Sequence, residues 1–216
     1  MLTFNLSLHF AKGYIGDPYW PELEKLINIQ KQSGMNRARS TANRRKALEE
    51  YLGSIGMSLA DYEALERKAK EPFYKDGDEI IIPELHVTSF LVATCDEARS
   101  ATRPCEPNQV RSRFIVTPWR TGKTKADGIW SRFAVVAGGG GQKLSNQRGL
   151  RESAYIADFA ATGRISFDPD FVDAATLRRA IEWGGAFVGI GASRKMGWGR
   201  FELKEFAQQG AALKVA

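Results

Sequence analysis

The sequence is poor in the residues that most often announce chemistry. It holds two cysteines, Cys95 and Cys105, and two histidines, His9 and His86, among 216 residues. Two cysteines make no disulfide framework, and with no C-x-x-C pair or His-rich cluster no metal site is expected. Long apolar runs are missing as well. The longest fall far short of the ~20 residues needed to cross a bilayer, so no membrane association is expected. Asn5-Leu6-Ser7 has the form of a glycosylation acceptor, but it sits in a strand pattern and no signal-peptide pattern accompanies it. These absences point to a cytoplasmic protein.

Two apparent nucleotide motifs also lack what they need. Thr121-Gly122-Lys123-Thr124 has the end of a phosphate loop, yet the required first glycine falls on Thr117 and Pro118-Trp119 interrupts the loop. Gly189-Ile190-Gly191 opens like a dinucleotide fingerprint, but Arg194 stands where the third glycine belongs, and the segment leads into a strand rather than a helix. No cofactor is expected.

Negative charge is scarce in places. Overall, 31 Lys and Arg face 25 Asp and Glu, a net charge of +6 with a pI near 9.4. Between Lys31 and Lys46 stand Lys31, Arg37, Arg39, Arg44, Arg45 and Lys46 with no acid. Its Ser, Asn and Gly content reads as a mobile basic loop that orders on a partner. From Arg99 to Lys125 seven cations face Glu106 alone. A clustered surplus of this kind suits a polyanion.

Periodicity supplies the fold class. Phe4, Leu6, Leu8 and Phe10 alternate with Thr3, Asn5, Ser7 and His9, the period-2 pattern of a half-buried strand. Residues 20–75 read as a helical insertion: Leu23, Leu26 and Ile27 form one stripe, Ala42–Leu52 a second helix, and Ser58 caps a third. Ile80-Ile81-Ile82-Pro83 leads into a helix over Glu84–Arg99. Phe114–Val116 and Phe133–Val136 read as short strands, with Gln142–Arg151 a basic loop. Ala154–Phe159 and Arg164–Phe167 read as strands around a Thr162-Gly163 turn. Asp173 caps a helix that Gly184-Gly185 would end, and Phe201–Phe206 closes as a strand. This order predicts an α+β fold with a ferredoxin-like or RRM-like core over 1–19 and 76–216, and a helical insertion over 20–75.

Gly189 to Arg200 carries the most information. Glycines at 189, 191, 197 and 199 let a backbone approach a ligand, and successive amides in such a loop can cradle phosphate oxygens. Arg194, Lys195 and Arg200 add charge, while Met196 and Trp198 offer apolar surface for stacking or for anchoring the loop. The alternative is a structural hairpin whose glycines make tight turns.

A helix ending in glycine, a Gly-x-Gly turn, Arg-Lys, Gly-Trp-Gly-Arg and a closing Phe-Glu-Leu strand resemble the C-terminal glycine-rich signature of the RAMP superfamily of CRISPR-associated proteins. The resemblance extends over Phe167–Phe206, with Ile82–Arg99 and the first strand compatible, about half the chain. Trp198 stands where phenylalanine is more common. The resemblance implies an RRM-like subunit of a multi-subunit effector, most often of the backbone type. Such a subunit binds a single-stranded CRISPR guide RNA and assembles with other subunits, including copies of itself. It carries an RNA-binding role onto Gly189, Gly191, Arg194, Lys195, Gly197, Trp198, Gly199 and Arg200. Arg37, Arg39, Arg44 and Arg45 of the basic loop and His9 on the polar strand face are added from the residues themselves. With His9 and His86 as the only histidines, no catalytic residue is assigned. The alternatives are a RAMP-type, metal-independent endoribonuclease processing repeat RNA, and a mobile-element mimic of an effector subunit.

Overall fold

The computed structural model describes residues 1–16, 21–37, 40–98, 103–135 and 148–209. The chain forms two compact units, Met1–Asp17 with Phe73–Ala216, and Pro18–Pro72. The larger begins with β1 (Leu2–Phe10) and β2 (Tyr14–Ile15). The smaller holds α1 (Pro21–Gln32), α2 (Thr41–Ser54) and α3 (Leu59–Ala69). The larger resumes with β3 (Tyr74–Asp76), β4 (Glu79–Ile82), α4 (Glu84–Glu97), α5 (Val110–Arg113), β5 (Phe114–Val116) and β6 (Trp119–Arg120). It ends with β7 (Gly128–Val135), β8 (Arg148–Ile156), β9 (Phe159–Phe167), α6 (Ala174–Phe187) and β10 (Glu202–Gln208).

Alternation in β1 decides the architecture. Phe4, Leu6, Leu8 and Phe10 are buried and their polar neighbours are not. On one edge β1 pairs antiparallel with β10, on the other with β9, and β9 pairs in turn with β5. With α4 between β1 and β5, and α6 between β9 and β10, this is the ferredoxin-like α+β arrangement. β6, β4 and β3 extend the sheet beyond β9. Val87, Phe90, Leu91 and Cys95 of α4 and Leu177 and Ile181 of α6 complete one core with the apolar face of β1. Each such side chain removed from water contributes about 1.5–3 kcal/mol. A second sheet runs β2-β8-β7. Among the described residues no helix is long and apolar enough to cross a membrane.

The smaller unit has its own core of Leu26, Ile29, Leu48, Leu52, Tyr62 and Ala69. Ile27, expected in the first stripe, is 40% exposed because Ile29 takes the inward position. The segment expected as a mobile basic loop is largely helical where described. α1 reaches Gln32, a 3-10 turn covers Met35–Arg37, and Ser40 caps α2 by accepting the Asn43 amide at 3.2 Å. Arg44, Arg45 and Lys46 therefore lie on a helix, and Arg39 lies outside the described residues.

Glycines account for two further corrections. The turn expected at Thr162-Gly163 is not there: β9 runs straight through it, and the chain reverses at Ala157-Asp158, where Asp158 has φ 42°. Gly163 serves close packing instead, since a Cβ there would stand 1.9 Å from Cδ1 of the buried Trp119. Gly184 and Gly185 do not end α6 but lie inside it, pressed against Thr94 and Phe201. In both cases the missing side chain makes room for a neighbour rather than for a turn. Arg148–Arg151, expected in a loop, belong to β8, whereas Val136 and residues 138–147 lie outside the described residues.

Two stability measurements follow from this packing. Gly163→Ala should destabilise the fold by about 1–3 kcal/mol through overpacking, seen as a lower urea midpoint at unchanged slope. Asp173 caps α6 by accepting the Thr176 amide at 2.8 Å, and that bond holds its carboxyl below the ordinary carboxylate range. A lowered folded value gives stability that is present above the unfolded value of about 3.9 and lost as pH falls through the folded one. Asp173→Asn, which keeps a capping oxygen but does not titrate, should lose less stability on acidification than the parent.

Candidate nucleic-acid interface

The glycine-rich segment leaves α6 at Phe187 and folds back on the molecule before β10. The Ile190 amide donates to the Gly199 carbonyl at 2.9 Å, and the Gly199 amide donates to Gly13 at 2.8 Å. The Ala192 amide reaches the Ile15 carbonyl at 3.1 Å, and Phe201 reaches Gly185 at 2.9 Å. The segment is thus stitched to the chain that follows β1 and to α6. Two glycines are required by this approach. At Gly199, φ is +71° and a Cβ would stand 1.7 Å from the Ile190 oxygen; at Gly191 it would stand 2.3 Å from the Tyr14 ring.

This changes what the loop can offer. Gly189, Ile190, Trp198 and Gly199 are buried, and several amides expected to face phosphates already donate inside the protein. Trp198, 5% exposed, has no open face for stacking a base. Its indole lies against Tyr155 at 5.1 Å and Trp130 at 5.7 Å between centroids. Nε1 has no hydrogen-bond partner among the described residues, so packing holds the ring. Of the two roles weighed for Trp198, the geometry matches anchoring.

What remains at the surface is the turn Arg194–Met196, entered through Ser193 at φ 58° and left through Gly197 at φ 81°. Lys12 braces it. Its ammonium donates to the Met196 carbonyl at 2.5 Å and stands 5.3 Å above the Trp198 ring. Around this brace opens a groove of about 770 Å³ lined by His9, Ala11, Lys12, Lys195, Met196, Gly197, Arg200, Phe201 and Glu202. Lys195 and Arg200 are exposed. His9 Nε2 lies 3.0 Å from Asp158 Oδ1, and Glu202 stands opposite His9 in the ladder. A hydrogen bond from Lys204 holds the Glu202 carboxyl below the usual range, so it is ionised at neutral pH. Three cations thus line the groove with one carboxylate, Glu202, which Lys204 engages, while Asp158 stands beside His9.

Arg194 is not with them. It lines a separate pocket with His86, Ser89, Phe90, Ile190 and Gly191. In the smaller unit, Arg37, Arg44 and Arg45 are exposed, and Arg45 is paired with Glu49 at 2.8 Å. Lys12 went unnoticed in the sequence, where the signal was its place just past the end of β1. The ferredoxin-like order sets that end of β1 beside the start of β10.

Beyond the groove, the middle of the sheet face turned away from the helices carries charges of both signs. Asn5, Ser7, Thr162, Arg164 and Glu205 line a shallow hollow there, and Arg120 is paired with Asp76 and Glu79. Polar side chains, two arginines and carboxylates line this hollow in place of the aromatic platform on which RRM sheets stack bases.

No protein-family model matches the chain, and no curated protein does. Among solved structures, the chain is similar to one in the cryo-EM structure of the Type III-B Cmr-beta bound to cognate target RNA, with 8% identity, 96% of this chain covered and a TM-score of 0.49. It spans 60% of that chain. It is also similar to Cmr6 from Pyrococcus furiosus, with 9% identity, 94% of this chain and 98% of that one covered, and a TM-score of 0.32.

If the loop is a rigid support, disturbing its closure and disturbing its tip should differ. Gly199→Ala should lower the melting temperature and red-shift tryptophan emission as Trp198 loses its packing. Met196→Ala, on the exposed turn, should leave both unchanged.

Proposed function

We propose that this protein is an RNA-binding subunit of a CRISPR effector ribonucleoprotein, and that Lys12, Lys195 and Arg200 hold the backbone of a single-stranded guide. The observation that carries this reading is the convergence of the three cations, from the end of β1 and from the glycine-rich segment, on one groove with a braced floor. Cations set along an open trough contact successive phosphates without reading bases. The resemblance of Phe167–Phe206 to the RAMP signature supplies the biological setting. In it, neighbouring subunits, copies of this chain among them, cover the rest of the guide.

Gly189, Gly191, Gly197 and Gly199 act in this reading through shape, holding Lys195 and Arg200 at the rim. Arg37, Arg44 and Arg45 of the smaller unit are further candidate phosphate contacts, each exposed. Glu49 offsets the charge of Arg45.

One observation favours a second reading, RNA cleavage. His9 lies in the groove beside Asp158, where a histidine could exchange a proton with a ribose hydroxyl. Cleavage of a repeat RNA by the parent protein that His9→Ala abolishes would establish it.

The binding reading is tested by fluorescence anisotropy with a labelled single-stranded RNA over a salt series. Each phosphate contact contributes about −0.7 to the slope of log affinity against log salt. Lys195→Gln with Arg200→Gln should therefore flatten the slope by about 1.4 and weaken unrelated sequences alike. A slope identical to the parent's would exclude this groove as the phosphate track.

A further inference from the structure

The second sheet carries a charge pair that the groove does not use. Its ladder sets Arg132 of β7 directly opposite Arg151 of β8, and Trp130 opposite Ser153. Residues directly opposite in an antiparallel pair share a face, and so does every second residue along a strand. Trp130, Arg132, Arg151, Ser153 and Tyr155 therefore belong to one face of β7 and β8. The one acid of the two strands, Glu152, falls on the other face, opposite Ser131.

Like charges directly across a ladder destabilise it, so such a pair calls for a neutralising partner. Among the described residues no carboxylate pairs with Arg132; its guanidinium carbon stands 5.5 Å from the centre of the half-buried Trp130 ring. The same face is tied to the groove. Trp130 lies 5.7 Å from Trp198 between centroids, and Lys12, which lines the groove, stands 5.3 Å above the Trp198 ring. Three short steps thus lead from Lys12 to Arg132. Both sets of cations fall within the reach of one single strand of about 4–16 nucleotides, the length that single-strand modules cover.

We infer that Arg132 and Arg151 hold a further stretch of the RNA backbone, extending the phosphate track from the groove onto the second sheet. The inference rests on the RNA-binding reading above and lengthens its site. A phosphodiester chain brings negative charges at regular intervals, one for each arginine, and a face without a carboxylate leaves both to it. A planar guanidinium can hold two phosphate oxygens at once. Trp130 steadies Arg132 through its ring face, and Trp198 steadies Trp130. The indole that anchors the glycine-rich segment therefore also sets the position of the second contact.

The test uses the full chain and a labelled oligouridylate of about 16 nucleotides, titrated over a salt series. Arg132→Gln with Arg151→Gln should flatten the slope of log affinity against log salt by about 1.4, the value for two single-strand phosphate contacts. Arg132→Lys with Arg151→Lys keeps both charges and should keep the parent slope. A parent slope in the glutamine variant, while Lys195→Gln with Arg200→Gln still flattens it, overturns the inference and leaves the groove reading standing. Equal flattening by the lysine variant also overturns it, because charge would then not be what Arg132 and Arg151 contribute. Failure of the parent to bind the RNA, or a parent slope in both glutamine variants, overturns both readings.

Discussion

Everything at the candidate site depends on one close approach, that of the Gly199 backbone to Ile190 on one side and Gly13 on the other. Two amide-to-carbonyl bonds and the absence of two Cβ atoms bring the segment between α6 and β10 down onto the chain just past β1. That contact buries Trp198 and Ile190 and pushes the Arg194–Met196 turn outward. It also brings Lys12, far away in sequence, to the turn it braces. Without it the three groove cations would have no common frame.

The consequence is a division of labour by residue type. Glycines shape the loop and cations meet the solvent. A loop whose amides are spent internally cannot act as an amide cradle, but it can hold side chains in place at little entropic cost when a ligand arrives. The charges around it are arranged to the same end. Asp158 and Glu202 are occupied by His9 and Lys204, while on the open sheet face Asp76 and Glu79 are paired with Arg120, and Arg164 and Glu205 stand nearby.

Much of this was legible in the sequence because it rests on local pattern. Alternation marked β1, the Asp173 cap marked α6, and the density of Gly, Arg and Lys marked the segment that lines the groove. The errors share a cause. Gly163, Gly184 and Gly185 look like turn residues by local rules, but each is small because Trp119, Thr94 or Phe201 arrives from elsewhere in the chain. Trp198 reads as a stacking surface until Tyr155 and Trp130 are seen to cover it. Lys12 is invisible for the same reason, since its partner Met196 lies 184 positions away. Nothing short of the strand order could have separated Arg194 from Lys195, neighbours in sequence that line different pockets.

The central claim is that the glycine-rich segment is a preformed support and not a loop that orders on RNA. Amide hydrogen exchange of the RNA-free protein tests it most directly. The account predicts strong protection at Ile190, Ala192, Gly199 and Phe201 before RNA is added, with little change after. Rapid exchange at these amides in the free protein, slowing only once RNA is bound, would contradict it.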